Sequence, residues 1–485
     1  MFKEIFLGEE KIFSSNVIFF HAALILTSFI FVYIFSYSTS FRYDLLGGDS
    51  SIFQSVGKYW AQGHLPYVEL FEHKGPLLFF IDAIGYAIYP RSGIMVPQII
   101  FLYLSCLFIW RAMELYSSSR KIFFLAVALI FYAAHYEEGN HVEEYSVLFL
   151  SAAAYFFLKA LKDSEGKKFF HPPLYGFIYG LGFGACVLIR TSDAAQICCQ
   201  TFLAAIFLLQ ARDFKNLWQN VLSFCAGFAA IVLPFVIYFA AHGALYDMLY
   251  GTILFNMKYS ENPLLYQLES RPLELRLTYS IIHFLPLFIM IIVAAMTLKQ
   301  NSKSRLLRSA IFIGAMVAIL LMKLRPYGHY AMIIFPAAPI LFAVLHESRN
   351  ELQKIWRTSG LSFKRILLKI LIIIAVIDAF VLSINFKEYY LAEKNSMPRL
   401  FIQYEKRFAM SNPTEHEEIL KLRSLIPDNE KDSFVCWGDY CNTPHWVIYT
   451  DMKSCERLEQ LPEEKYLFKG EVYIFPQMLK LYRLK

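Results

Sequence analysis

Residues 77–89, LLFFIDAIGYAIY, decide how this chain is laid out. The run is apolar, yet it carries Asp82, stops at Pro90-Arg91 and is short for a hydrocarbon core about 30 Å thick. Longer apolar runs surround it. They predict spans near 16–36, 94–113, 121–136, 144–161, 174–190, 194–210, 218–241, 279–298, 306–322, 328–346 and 366–386, about eleven in all. Charge decides whether 77–89 joins them. If it does not cross, the basic clusters around Arg111–Lys121, Lys159–Lys168, Arg212–Lys215, Lys299–Arg308 and Arg349–Lys369 all face inward, as the positive-inside rule requires. If it crosses, nearly all of them face outward. Residues 77–89 therefore read as a re-entrant or interfacial helix on the outer side.

Composition supports the same class. Hydrophobic residues make up 57% and charged residues 18% of the 485, against about 25% charged in soluble domains. The expected fold is mainly α: a polytopic membrane protein with amphipathic outer-face helices. The net charge of +6 lies in the short inner clusters, so it does not point to nucleic acid. Residues 16–35 form too long an apolar run for a signal-peptide core and read as a retained first span. Two domains are expected, a membrane domain over 1–386 and a small mixed α/β extracytoplasmic domain over 387–485. In the second, Pro413-Thr414-Glu415 suggests a helix start, while DSFVCWG, HWVIYT and EVYIF read as short strands. Cys106, Cys186, Cys198, Cys199 and Cys225 fall in or beside spans, as small packing residues. An oxidising outer face would let Cys436 pair with Cys441 and leave Cys455 over; three free thiols fit equally well.

The chemistry then gathers on one side. The first outer loop, 37–93, contains GGDSSIFQSVGKYWAQGHLPYVELFEHKGP at 47–76. Gly47-Gly48 allow a sharp turn, Asp49 stands where a helix cap belongs, and an amphipathic helix suited to the membrane surface follows. A capping carboxylate beside helix N–H groups also stays ionised, as a general base must. Lys74, just before Gly75-Pro76 at a helix start, suits an anion, with Glu72 or His73 placed to hold a metal or a sugar hydroxyl. The loop HYEEGNHVEE at 135–144 sets four carboxylates beside two imidazoles, a combination suited to a divalent cation or to plain solvation. Glu138 and His141 are its metal candidates, and Glu143 and Glu144 stand at the mouth of the next span. Arg190, Lys323, Arg325 and His329 are cationic or potentially so at the outer ends of spans, where they call for partners: the nearby acids or a lipid phosphate.

In this order, these pieces resemble the GT-C superfamily of membrane glycosyltransferases, in the bacterial branch related to protein O-mannosyltransferases and lipid A aminoarabinose transferases. The resemblance rests on Asp49, the helix at 50–62, Gly63-His64-Leu65-Pro66-Tyr67, Glu72-His73-Lys74-Gly75-Pro76, Gly139 to Tyr145, and His329-Tyr330 with Pro336. Ser50 stands where a second acid is expected, and His73 is an insertion relative to the aminoarabinose branch. The resemblance implies inverting transfer of a sugar from a polyprenyl-phosphate donor to a glycolipid, polysaccharide or protein acceptor. The expected setting is the extracytoplasmic face of a bacterial cytoplasmic membrane. It further implies Asp49 as general base, Lys74 with Arg190 or Arg325 on the donor phosphate, and Glu72, His73, Glu143, Glu144, His329 and Tyr330 around the substrates. A divalent ion would be a cofactor of some members. A lipid-linked sugar flippase would show internal repeats, which are not seen here, and an oligosaccharide ligase or polymerase would use the same donor chemistry.

Overall fold

The computed structural model describes residues 5–6, 15–42, 48–259, 273–298, 303–323, 328–357, 423–426, 434–437, 466–474 and 477–484. The expected span 366–386, the helix start at Pro413, the strand HWVIYT, Arg325 and any Cys436–Cys441 bridge lie outside them.

Every expected span up to residue 346 coincides with helix. In chain order the helices that matter here are α1 (Ser15–Phe35), α2 (Asp49–Ala61), α3 (Pro76–Ile88), α4 (Met95–Glu114), α5 (Lys121–Ala134), α6 (Val142–Asp163), α7 (Pro173–Val187), α8 (Ala195–Gln210) and α9 (Phe214–Ala241). They are followed by α10 (Leu245–Leu249), a π-helical turn at Tyr250–Leu254, α11 (Phe255–Tyr259), α12 (Leu273–Leu298), α13 (Arg305–Lys323), a 3-10 segment at Gly328–Ala337 and α14 (Ala338–Glu347). Among the described residues, six helical stretches are long and apolar enough to cross a membrane. Residues 76–88 form one of the shorter apolar helices. The chain is a polytopic, mainly α membrane protein.

Lipid is as apolar as leucine, so membrane helices associate chiefly through close packing. Glycine makes that possible between α7 and α9. A Cβ at Gly180 would lie 1.9 Å from the Phe224 carbonyl oxygen, and one at Gly227 would lie 2.0 Å from that of Phe177. Asp213 closes the start of α9 by accepting from the Asn216 N–H at 3.1 Å. The same device seats α2 on α3, where a Cβ at Gly57 would fall 2.4 Å from Asp82 Cβ.

Helix α2 departs from its expected place. Instead of lying on a membrane surface, it is buried from Ser50 to Tyr59. Its polar face meets protein rather than water: Gln54 Nε2 donates to the Ser38 carbonyl at 3.1 Å, and the Ser50 and Ser38 hydroxyls are 2.9 Å apart. On the other face Ile52, Phe53 and Val56 join a core with Tyr67, Phe79 and Phe239. An amphipathic pattern records that the two faces differ, and here the polar face is covered by the chain that follows α1.

Near the C-terminus, β1 (Phe434–Trp437), β2 (Tyr466–Ile474) and β3 (Gln477–Leu484) form an antiparallel sheet in the order β1-β3-β2. The first lies within the expected DSFVCWG segment and the second covers 471–474 of EVYIF; the third was not expected. Overpacking a tight contact costs about 1–3 kcal/mol. Gly180→Ala should therefore lower the thermal midpoint in detergent, and an unchanged midpoint would mean that α7 and α9 separate freely.

Candidate active site

The site is built on the turn between α5 and α6. Glu137, Gly139 and Asn140 adopt left-handed φ values of 48°, 80° and 60°, uncommon for a glutamate. Only glycine fits at 139, because a Cβ there would lie 2.2 Å from Ser36 Oγ. The turn is pressed onto the end of α1, where the Ser38 N–H donates to the Glu138 carbonyl and the Ser38 hydroxyl to that of Gly139, both at 3.1 Å.

From this turn the Glu138 side chain reaches the first loop. Its carboxylate accepts the Gly48 N–H at 3.1 Å and the Ser50 N–H at 3.0 Å. Glu138 therefore caps α2, and Asp49 does not. Gly48 occupies the cap position, the helix opens on Asp49, and no side chain of its own closes it. The Asp49 side chain is left exposed at the head of a buried helix. Burial and the nearby charge of Asp49 push the Glu138 carboxyl up to about 7, against the pull of the two amides.

Glu137 holds another part of the chain. It accepts from the His329 N–H at 3.2 Å and from His329 Nδ1 at 2.8 Å. Burial would raise its carboxyl, but the hydrogen bond and charge of His329, with His141 beyond, bring it down to about 2. His141 stacks on His329 with centroids 4.3 Å apart and planes 6° from parallel. One ligand atom from each of Asp49, His141 and His329 lies within 4.8 Å of the others.

Three side chains from residues 49, 141 and 329 thus make a candidate metal centre, in which His329 would release a proton on ligating: burial would lower its pKa, but the charges of Glu143 and Glu137 raise it to about 9. His141 Nε2 is buried and has no hydrogen-bond partner among the described residues, the nearest Glu137 oxygen being 3.9 Å away. Burial and then the neighbouring His329 hold its pKa down to about 3, so the ring is neutral, the form that ligates metals. Two imidazoles and a carboxylate suit zinc or another first-row divalent ion. Of the residues expected as metal candidates, His141 alone belongs to this group. Both Glu138 oxygens are taken by amides, and Glu72 pairs with His73 Nδ1 at 2.9 Å.

The cations have partners. Arg190 makes ion pairs with Glu143 and, at 2.7 Å, with Asp193, and its guanidinium lies 4.3 Å over the Tyr330 ring. Burial would lower its pKa, but the charges of Asp193 and Glu143 push it further up. Glu143 Oε2 stays buried without a partner among the described residues. Glu144 turns the other way, accepting from Gln98 Nε2 at 2.9 Å, the His141 N–H at 2.8 Å and the Tyr136 hydroxyl. Lys74 Nζ sits 2.8 Å from His73 Nε2 and 3.7 Å from Glu72. Its backbone is fixed by the Tyr67 hydroxyl, which donates to the Lys74 carbonyl at 2.8 Å. Gly75 and Leu77 then donate to the carbonyls of Ile189 and Leu188 at 3.0 and 2.9 Å, which brings the first loop beside the segment that carries Arg190.

Sequence reasoning missed Glu137, Asp193, Gln98 and the capping role of Glu138. It also gave Asp82 no partner, although Asp82 accepts from Asn140 at 3.1 Å while Asn140 accepts from the Tyr145 hydroxyl at 2.5 Å. Glu-Glu-Gly-Asn is legible as a turn; its distant partners are not.

Residues 73–239 match the family described as dolichyl-phosphate-mannose-protein mannosyltransferase. No curated protein matches the chain. Among solved structures it is similar to the Archaeoglobus fulgidus oligosaccharyltransferase AglB in complex with an inhibitory peptide and a dolichol-phosphate, at 14% identity and a TM-score of 0.39, covering 86% of this chain and 59% of that one. The apo form of the A. fulgidus enzyme gives 13% identity and a TM-score of 0.41, covering 87% and 60%. Its complex with zinc and sulfate gives 13% and 0.39, covering 84% and 56%. The chain thus spans about three fifths of the length of these structures.

The turn between α5 and α6 is braced by a second pair of imidazoles. His135 Nδ1 lies 2.8 Å from the Phe131 carbonyl, so it carries the proton, and Nε2 accepts from His283 Nδ1 at 2.8 Å. Burial and His283 hold the His135 pKa down to about 3, against about 6.5 in an unfolded chain. The neutral form is the one the fold favours, so stability is intact above about pH 6.5 and declines as pH falls toward 3. Thermal melts between pH 7 and 5 should show that decline, and His135→Gln should flatten it. Equal pH slopes in both proteins would remove His135 as the cause.

Proposed function

We propose that this protein is a membrane glycosyltransferase that moves a sugar from a polyprenyl-phosphate donor to an acceptor on the extracytoplasmic face, with inversion. The observation that carries the reading is the exposed Asp49 carboxylate grouped with His141 and His329, at the end of the bundle that also holds Lys74 and Arg190. The matched family, whose name combines a lipid-phosphate sugar donor with a protein acceptor, supports the same chemistry.

Asp49 is the general base. It takes the proton of the acceptor hydroxyl as that oxygen attacks C1 and the bond from C1 to the phosphate oxygen breaks. Negative charge then grows on the departing lipid phosphate. Lys74 is the first choice to meet it, because Arg190 is already held by two carboxylates. Arg190, stacked over Tyr330, instead lies beside Glu143, whose unpartnered Oε2 suits a sugar or acceptor hydroxyl. Glu72 and His73 orient Lys74. A divalent ion held by Asp49, His141 and His329 would act as a Lewis acid on the oxygens that change charge.

General-base groups contribute about 10²–10⁴-fold. Asp49→Asn should cost at least the lower figure in transfer from a polyprenyl-phosphate sugar while leaving the melting temperature unchanged; full activity would sink the base assignment. Lys74→Ala should raise the donor KM, and a wild-type value would remove Lys74 from the phosphate. Chelation should abolish turnover and added zinc or manganese restore it, whereas indifference to chelator would strike the ion from the reading.

A further inference from the structure

The three side chains of the proposed centre come from distant parts of the chain, yet two adjacent glutamates tie them together. Glu138 accepts the N–H groups on either side of Asp49, those of Gly48 and Ser50. Glu137 accepts from both the backbone and the ring of His329. His141 follows four residues after Glu137 and stacks on His329. The left-handed Glu137, Gly139 and Asn140 bend the turn so that neighbouring carboxylates serve different elements.

We propose that Glu137 and Glu138 are positioning residues which set the spacing of Asp49, His141 and His329 from a single turn, rather than ligands or acids of the reaction. The chemical consequence rests on the Asp49 reading above; the mechanical one does not. First-turn amides of a helix have no partner within the helix, and the Glu138 carboxylate is the partner that Gly48 and Ser50 have found. It fixes the backbone of Asp49 from both sides and leaves the Asp49 side chain unoccupied by capping. Both Glu138 oxygens are used in doing so. This accounts for an acid that sits beside a candidate metal centre without joining it. Glu137 does the same for the first turn of the 3-10 segment, gripping His329 by its backbone N–H and by Nδ1.

The test needs one readout that involves no chemistry. Hydrogen–deuterium exchange of the full-length protein in detergent reports on the amides at 48–51. In Glu138→Ala these should exchange at least tenfold faster, with α3 and α4 unchanged, and Glu138→Gln, which keeps one acceptor, should fall between. Unchanged exchange at 48–51 in Glu138→Ala would overturn the proposal. In turnover assays, Glu138→Ala and Glu137→Gln should lower kcat tenfold or more, leave donor KM within twofold and keep the melting temperature near wild type. Parallel loss of kcat, KM and melting temperature would reduce both residues to a structural role and overturn the proposal as well. If exchange quickens while Asp49→Asn retains full transfer, the positioning stands and the base assignment alone has failed.

Discussion

Two backbone N–H groups at the head of α2 end on the carboxylate of Glu138, across sequence separations of 90 and 88 residues. A helix start buried without partners would leave its first amides unsatisfied, at about 1–3 kcal/mol for each buried group. Supplying the acceptor from a remote turn, instead of from a residue of the helix, is what frees Asp49. The same turn is anchored to the end of α1 through Ser38 and Gly139 and to the 3-10 segment through Glu137. Chain entry, first loop and late segment are thereby joined at one place.

Around this joint lies an unusual amount of buried polarity for a bilayer protein. Gln98 in α4 is central to it, donating to Ser36, Tyr136 and Glu144 and accepting from Thr39. Intramembrane polar groups are costly unless paired, and here nearly every donor and acceptor answers another across helices. Among the described residues the buried side-chain atoms left over include Gln54 Oε1 and Asp82 Oδ1 in this network and His141 Nε2 and Glu143 Oε2 in the candidate site. The last two are placed where a substrate or an ion could supply the remaining bonds.

Much of the fold was legible in the sequence because hydropathy and length report directly on bilayer thickness, and helix stands at every expected span through residue 346. The candidate site was legible in part. Asp49, His141 and His329 could be singled out, since acids and imidazoles at span ends stand out against apolar surroundings. Their grouping could not, nor could the part played by Glu138, because a contact across 90 residues leaves no periodicity behind. Helix α2 was misplaced for a related reason: an apolar stripe opposite a serine- and glutamine-bearing face looks the same whether that face meets water or the loop after α1. Strand β3 escaped notice because Lys480 and Arg483 fall on opposite parities of QMLKLYRL and blur the alternation that marks a strand.

The seam between the first loop and the end of α7 has its own mechanical meaning. Gly75 lies so close to Leu188 that a Cβ would sit 2.1 Å from the Leu188 oxygen, and two backbone hydrogen bonds lock the strip together. Lys74 precedes this seam on one chain segment and Arg190 follows it on the other. A tilt of α7 would carry the two residues as one body, so the distance between their backbones is preserved while their height relative to Asp49 changes. The two positive charges therefore share a single carriage.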